Sequence, residues 1–503
     1  MGRSQKALRN VITGVGNKLL LMILAFATRT LFIKLLGAEY TGVSSLYTNI
    51  LSVLSLAELG LGNVLMFYLY SALKEKNENK ICCLVNEFKK IYQVIIIVVL
   101  SIGLALIPFL GFIINSDLDY KEVILYYCMY LINSVASYFV VYRTMVIAAD
   151  QNGYISNIVS SASTICMYIL QIVYLLIFKN FIGYLIIQVL CTIMNNLVLN
   201  HIALRKYPFL KNNKTFEGSI IDKKDLFKNI KATFLFKISD TILDQTDSII
   251  ISIMFGTVFV GYYYNYFLLI TFIVAIAGII ANGLVASIGN LVAEGNTEQS
   301  YKMLRLAMLA FAIFGTICTS CYASIVQEFI PVWIGPEYVK DYSWVIAILC
   351  VFYLRMVTNT MWMYRSAMGL FKEVQYINLI AALLNIVLSI ILGMWIGLPG
   401  VIVATAISRL LTSFWYEGKV LFKKLNKSVM IYYGQQLKDF LICIVSVVVC
   451  VSLSNLITVH GWLGIIIKLC SSFFISLLIE IVVYYRTEEL KMMKSKILSV
   501  FRR

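Results

Sequence analysis

GAEYTGVSSLYTNILSVLSLAELGLGNVLMFYLYSALKEKNENK, residues 37–80, has a second copy in the same chain. Moved by 219 positions it falls, without a gap, on GTVFVGYYYNYFLLITFIVAIAGIIANGLVASIGNLVAEGNTEQ, residues 256–299. Gly37 meets Gly256, Gly42 meets Gly261, Tyr47 meets Tyr266 and Asn63 meets Asn282. Glu75 and Asn77 meet Glu294 and Asn296. Few residues are identical, so the weight lies in the unbroken register. Each pair also falls at the same place in a span–turn–span unit. A second match supports it: YRTMVIAADQNGYISNI at 142–158 aligns with YRSAMGLFKEVQYINLI at 364–380. There Tyr142, Arg143, Tyr154 and Ile155 coincide with Tyr364, Arg365, Tyr376 and Ile377.

The background of this repeat is apolar. Of 503 residues, 60% are hydrophobic and 14% charged, and the mean hydropathy is +0.85. That balance excludes a soluble globular protein. Apolar runs recur from end to end, each long enough to cross ~30 Å of hydrocarbon. They predict about fourteen spans, near 11–36, 43–71, 91–114, 122–146, 154–178, 182–203, 229–254, 261–288, 303–326, 341–364, 374–396, 398–422, 437–458 and 461–485. Spans 1–6 (residues 1–203) and spans 7–12 (residues 229–422) read as two copies of a six-helix unit. Six is even, so both copies share one orientation. Residues 204–228 form the linker, spans 13 and 14 (437–485) lie outside the repeat, and 486–503 is a basic tail. The expected fold is an all-α polytopic membrane protein: two pseudo-symmetric six-helix lobes around a central cavity, plus two C-terminal helices. Parallel repeats of this kind are a transporter architecture.

Charge sets the orientation. With a cytoplasmic N-terminus the outer loops hold only Lys121, Lys179 and Lys340, while most of the 42 Lys and Arg lie in inner loops and tails. This asymmetry predicts both termini inside. The net charge of +16 then reflects topology and attraction to anionic lipid. The basic residues are scattered over short segments, which argues against a nucleic-acid partner. The start MGRSQKALRN runs into the first span without an A-x-A-like site, so no cleaved signal is expected. Eleven Cys are scattered and only two His occur, at span ends, so no metal site is expected. The outer loop 327–340 reads as an interfacial turn anchored by Trp333.

Within this apolar frame, KISDTILDQTDSII at 237–250 carries Lys237, Asp240, Asp244 and Asp247. At 100° per residue all four lie within about 80° of one another. Each ionisable group costs ~2.5–3.5 kcal/mol at mid-helix, against ~0.3–0.6 returned per Leu, Ile or Phe. This face is therefore expected to meet a wet cavity or ionic partners, although Lys237 and Asp240 could sit at the interface and snorkel. The repeat partner of this helix carries the opposite sign: Lys18 and Arg29 share a face, and Asp247 corresponds to Thr28, beside Arg29. Glu58 could pair with a first-span cation. Arg355 lies in the polar stretch VFYLRMVTNTMW and is a candidate cavity residue. Arg143 and Arg365, at the inner mouths of matching helices, could receive a phosphate or serve only as positive-inside anchors. Lys468 and Glu480 are twelve apart in the last span and could be structural.

Several stretches carry a resemblance. RTLFIKLLGAEYTGVSSLYTNILSVLSLAELGLGNVLMFYLYSALKEKN, ILDQTDSIIISIMFGTVFVGYYYNYFLLI and PVWIGPEYV resemble the Wzx-type polysaccharide flippases of the multidrug/oligosaccharidyl-lipid/polysaccharide exporter superfamily, the transporters of capsule and O-antigen units. The resemblance implies an undecaprenyl-diphosphate-linked oligosaccharide moved from the inner to the outer leaflet of the bacterial plasma membrane by alternating access. It implies no enzymatic step, and membrane lipids, a polymerase and glycosyltransferases as partners. Cationic cavity residues map onto Arg29 and Lys18, and the seventh-helix aspartate onto Asp247. No cofactor is implied; a coupling ion, H⁺ or Na⁺, would act at Asp240, Asp244 or Asp247. The rivals are a lipid II flippase, a multidrug exporter of the same superfamily, and a membrane polymerase or glycosyltransferase. An exporter of cations should be acidic in both lobes, and such an enzyme usually needs a larger acidic loop. No GxxxxGK[ST] occurs, so ATP hydrolysis by this chain is not expected.

Overall fold

The computed structural model describes residues 3–55, 61–211 and 223–501. Every long element among these is a helix: α1 (Arg3–Leu54), α2 (Leu61–Lys74), α3 (Glu78–Ala105), α4 (Leu110–Ile113), α5 (Tyr120–Ser137), α6 (Val141–Ile147), α7 (Gly153–Phe178), α8 (Phe181–Lys206) and α9 (Lys223–Phe255). There follow α10 (Thr257–Ala293), α11 (Thr297–Trp333), α12 (Tyr342–Met368), α13 (Phe371–Ile396), α14 (Leu398–Leu411), α15 (Ser413–Lys424), α16 (Val429–Ser454), α17 (Gly461–Tyr484) and α18 (Glu488–Phe501). In a bilayer an isolated span must satisfy its own backbone, which selects helices.

Among the described residues eleven stretches are long and apolar enough to cross a membrane, or twelve if the bent pair Tyr120–Ser137 and Val141–Ala149 is one span. The sequence predicts about fourteen, and two helices explain the difference. The first is α1. Arg29 Nη2 lies 3.2 Å from Ser45 Oγ, sixteen residues on, whereas an unbroken helix would separate them by about 24 Å. The chain therefore reverses at Gly37, whose φ of 92° and ψ of −178° lie outside the helical region. One helical run thus supplies two spans. The second is α9, long at 33 residues but carrying too many charges to qualify by apolarity.

Packing divides the chain into two compact units, Met1–Gly261 and Tyr262–Arg503. The repeat boundary lies earlier, in the 204–228 linker. The difference arises because α9 packs along α1. In the first unit, Phe181 at the start of α8 gathers the rings of Phe32 at 5.4 Å, Tyr40 at 5.5 Å and Tyr126 at 4.7 Å. In the second, α11 is the hub, packed on α12, α16 and α17. Outward-facing positions of α7, α13 and α17 remain apolar, among them Ile177, Trp395 and Phe474, as lipid contact requires.

The 219-residue register reappears in backbone detail. Gly37 and its partner Gly256 both have positive φ, 92° and 101°. Lys76 and its partner Gly295 are both left-handed, φ 50° and 71°. Their amides bond the carbonyls of Leu73 and Val292, each at 3.1 Å. Asn77 caps α3 by accepting from the Lys80 amide, and Asn296 caps α11 by accepting from the Gln299 amide, each at 3.0 Å. Tyr47 and Tyr266 are both fully buried. Tyr47 donates its hydroxyl to the Val123 carbonyl, while the Tyr266 hydroxyl accepts from the Lys340 amide. Conserving a cap at both sites predicts equal roles. Asn77→Ala and Asn296→Ala should each cost about 0.5–2 kcal/mol, read as a lowered detergent-melting temperature; an unchanged temperature in both would show that the caps contribute nothing.

The tightest contact also follows the repeat. A Cβ on Gly42 would lie 1.8 Å from the carbonyl oxygen of Thr257, and one on Gly261 would lie 2.1 Å from that of Ala38. Ala38 and Thr257 are themselves repeat partners, so the contact is reciprocal. Thr257 is held in turn by its amide and hydroxyl, both donating to the Asn115 carbonyl.

The outer turn of the second unit corrects one expectation. Trp333 is 3% exposed and packs its ring on Phe329, so it is a core residue rather than a lipid-facing anchor. The turn is held instead by Gln327, whose side chain donates to the Lys340 carbonyl. Lys340 lies 3.6 Å from the Tyr262 ring, and partial burial lowers the affinity of its amine for a proton.

Candidate functional site

Arg29 sits on the first limb of α1, half-buried, eight residues before the reversal at Gly37. Its guanidinium reaches the second limb. There Nη2 donates to Ser45 Oγ at 3.2 Å and, more weakly, to the Thr41 carbonyl at 3.5 Å. The Phe32 ring lies 5.6 Å from its Cζ, a cation–π distance. Ser45 and Asn49 are one turn apart, so they face the same way. Asn49 donates to Ser248 Oγ of α9 at 2.7 Å. Ser248 directly follows Asp247, which is buried at 7% exposure; Asp244 is half-buried one turn away. The strip Arg29–Ser45–Asn49–Ser248 therefore joins the two limbs of α1 to α9. A guanidinium here presents a planar fork suited to phosphate or carboxylate. Thr28, the repeat counterpart of Asp247, is buried and bonds the Leu24 carbonyl.

The other candidates are distributed differently. Lys18 is exposed on α1, next to Asn17, which donates to Ser161 of α7. Lys34 is also exposed. Glu58 lies outside the described residues, as do the side chains of Lys237 and Asp240. Arg355 is half-buried on α12. Arg143 and Arg365 occupy equivalent places, and each reaches across to the helix before the next inner loop: Arg143 bonds Asn200 of α8, and Arg365 forms an ion pair with Glu417 of α15. Arg365 is buried, so this pair ties α12 to α15. Lys468 of α17 pairs with Glu328 of α11, whose other oxygen lies 3.5 Å from His460.

Sequence reasoning passed over Asp439. Its predicted span began at residue 437, which would leave Asp439 at the interface beside Lys438. In the structure α16 begins at Val429, so Asp439 lies nearly three turns inside the helix. It is 1% exposed, and Glu480 of α17 is 2% exposed. The available signal was periodicity: the buried positions of α16 are Tyr432, Gln436, Asp439, Cys443, Ser446, Cys450 and Ser454, a polar and small stripe at helical spacing.

The fold and these polar strips define an all-helical polytopic membrane protein with an internal repeat. Its likeness to solved structures narrows the fold. The chain superposes on the lipid II flippase MurJ, in an inward closed conformation, with a TM-score of 0.65 at 15% identity, covering 94% of this chain and 99% of that one. An inward-facing multidrug resistance MATE family transporter of the MOP superfamily matches with a TM-score of 0.62 at 13% identity, over 81% of this chain and 95% of its own. The Vibrio cholerae MATE transporter VcmN matches at 0.57 and 13%, over 83% and 97%. At these identities the likeness is one of fold. No protein-family model matches the sequence, and no curated protein matches it by sequence.

Proposed function

We propose that this chain is a flippase that carries an undecaprenyl-diphosphate-linked oligosaccharide from the inner to the outer leaflet of a bacterial plasma membrane. The observation that carries this reading is Arg29, a fixed cation on a spanning helix, backed by the Ser45 hydroxyl and the Thr41 carbonyl. A diphosphate is a strong anion, and a guanidinium in low dielectric can replace its hydration. The glycan needs polar neighbours; the isoprenoid tail need never leave hydrocarbon. The extent of the fold likeness supports a lipid-linked substrate. MurJ, described as a lipid II flippase, matches 94% of this chain, against 81% and 83% for the two MATE transporters. The difference is comparable to the length of α16 and α17 together. A cationic first repeat also suits an anionic cargo better than the cationic drugs an exporter would carry.

The driving force has an electrical part. With the cytoplasm negative and both termini inside, moving net negative charge outward is downhill by ~2.3 kcal/mol per charge per 100 mV. Asp244 and Asp247 are positioned to add coupling to H⁺ or Na⁺. Polymerases and glycosyltransferases of the same glycan pathway are the natural partners. The test is reconstitution of the full chain in liposomes with a fluorescent polyprenyl-diphosphate oligosaccharide in the inner leaflet. Transfer to the outer leaflet, accelerated by an outside-positive potential, is the expected result. No transfer of this lipid with robust export of a lipophilic cation would replace the reading with drug export. Transfer restricted to lipid II would place the chain in peptidoglycan synthesis instead.

A further inference from the structure

We propose that Asp439 and Glu480, facing one another in the seam of α11, α12, α16 and α17, hold an exchangeable proton, with Glu480 as its carrier. The site lies wholly within the second compact unit and is separate from the Arg29 strip. Both acids sit inside spanning helices, Val429–Ser454 and Gly461–Tyr484. Both are at least 98% buried. Among the described residues no Lys, Arg or His forms an ion pair with either acid.

The hydrogen-bond inventory distinguishes the two. Asp439 Oδ1 accepts from the Tyr484 hydroxyl and from Gln435 Nε2 at 2.7 Å. Two donors on one oxygen mark Asp439 as the acceptor of the pair. Asp439 Oδ2 and Glu480 Oε2 are buried and bond nothing. Thr316 of α11 lies within reach of both Glu480 and Tyr353 of α12, and neither its hydroxyl nor that of Tyr353 makes a well-formed hydrogen bond. Such orphaned atoms cost about 1–3 kcal/mol each. The two carboxylate oxygens among them, Asp439 Oδ2 and Glu480 Oε2, lack a donor. A proton on Glu480 supplies one, and removes one of two negative charges against which, among the described residues, only Lys438 stands nearby, without an ion pair to either. Two carboxylates that no ion pair neutralises, in low dielectric, resolve their repulsion by sharing a proton.

The rest of the seam shows what ordinary packing looks like here. Ser446 bonds Ser320 at 3.0 Å and Ser476 at 2.9 Å, and Cys450 bonds the Ser472 carbonyl. Those small polar residues are satisfied and let the helices approach closely. Among the described residues Ser472 Oγ is the one seam hydroxyl there without a partner; the carboxylate oxygens that lack one are both at the level of the acids.

Access is from the end of α17. A cavity of about 50 Å³ is lined by Tyr301, Arg305, Gln435, Tyr484 and Glu489, so it reaches both donors of Asp439. The charged groups around it are the Arg305–Glu489 ion pair and Lys438, whose ammonium lies 4.4 Å from the Tyr484 ring centroid; Cys443 faces the acids from α16. In the loading step a hydronium in this cavity passes its proton to the pair. A new O–H bond forms on Glu480, a water molecule is left behind, and the pair loses one negative charge.

Infrared difference spectroscopy on the full chain in phosphatidylglycerol liposomes tests this without any transport assay. Wild-type protein at neutral pH should show a protonated-carboxyl carbonyl band that shifts in heavy water and disappears on alkalinisation. Glu480→Gln should lose that band, while Glu337→Gln, in the exposed outer turn, should keep it. Absence of the band in the wild type overturns the proposal, whether or not any variant folds. So does its survival in Glu480→Gln, or its removal by sodium chloride but not choline chloride at constant pH. That last result would identify a sodium site.

Discussion

Arg29→Ala should abolish transport of a diphosphate-linked glycan while leaving the protein folded and membrane-inserted. Hydrogen bonds to charged groups contribute about 1.5–3 kcal/mol each, and a guanidinium can make two to a diphosphate. The expected loss is therefore at least about a hundredfold in transfer rate, at 1.4 kcal/mol per tenfold. Arg29→Lys keeps the charge but not the fork, and should retain a fraction of activity. The bonds from Arg29 to Ser45 and Thr41 are long, at 3.2 and 3.5 Å, and the yield of monodisperse, membrane-inserted variant is measured beside the transfer rate. Reconstituted Arg29→Ala protein with a wild-type transfer rate would remove Arg29 from the substrate path.

Gly42→Ala should have the largest effect on folding, and Gly261→Ala should match it. Each methyl would be driven into a backbone carbonyl, at 1.8 Å and 2.1 Å. Overpacking a core usually costs about 1–3 kcal/mol because side chains can shift. Here the obstacle is main chain, and the Thr257 side is further pinned to the Asn115 carbonyl, so the cost should exceed that range. The expected result is a sharp fall in monodisperse protein after detergent extraction, similar for both variants. Gly283→Ala, where a Cβ would meet nothing within 4 Å, is the control. A well-behaved Gly42→Ala protein would mean that the reciprocal contact is not formed in the folded chain.

Much of the architecture was readable because its cause is local. A run of apolar residues long enough for a bilayer must be a helix. A repeat also carries its own turns: Gly37 and Gly256, Lys76 and Gly295, and Asn77 and Asn296 adopt matching conformations. The same logic predicts that Arg29 faces a cavity or an ionic partner; that Ser45 and Thr41 accept from it is visible only in the tertiary structure.

The roles of individual charges were not readable, because their partners are far away in the chain. Arg365 and Lys468 look alike in sequence as lone cations near or within spans. Glu417, 52 residues away, engages one, and Glu328, 140 residues away, engages the other. Trp333 looked like an interfacial anchor and is buried, since nothing in its neighbourhood of sequence announces what packs on it. Asp439 was masked by a boundary misplaced by eight residues, from 437 to 429. The sequence by itself determined that this is a polytopic helical membrane protein with two related copies in register, because bilayer thickness and helix periodicity act on contiguous residues. Only the tertiary structure decided which of its buried charges are tied to partners and which acids are buried without an ion pair. That is settled by helices that meet side by side, and desolvation makes each such meeting matter far more than its distance along the chain suggests.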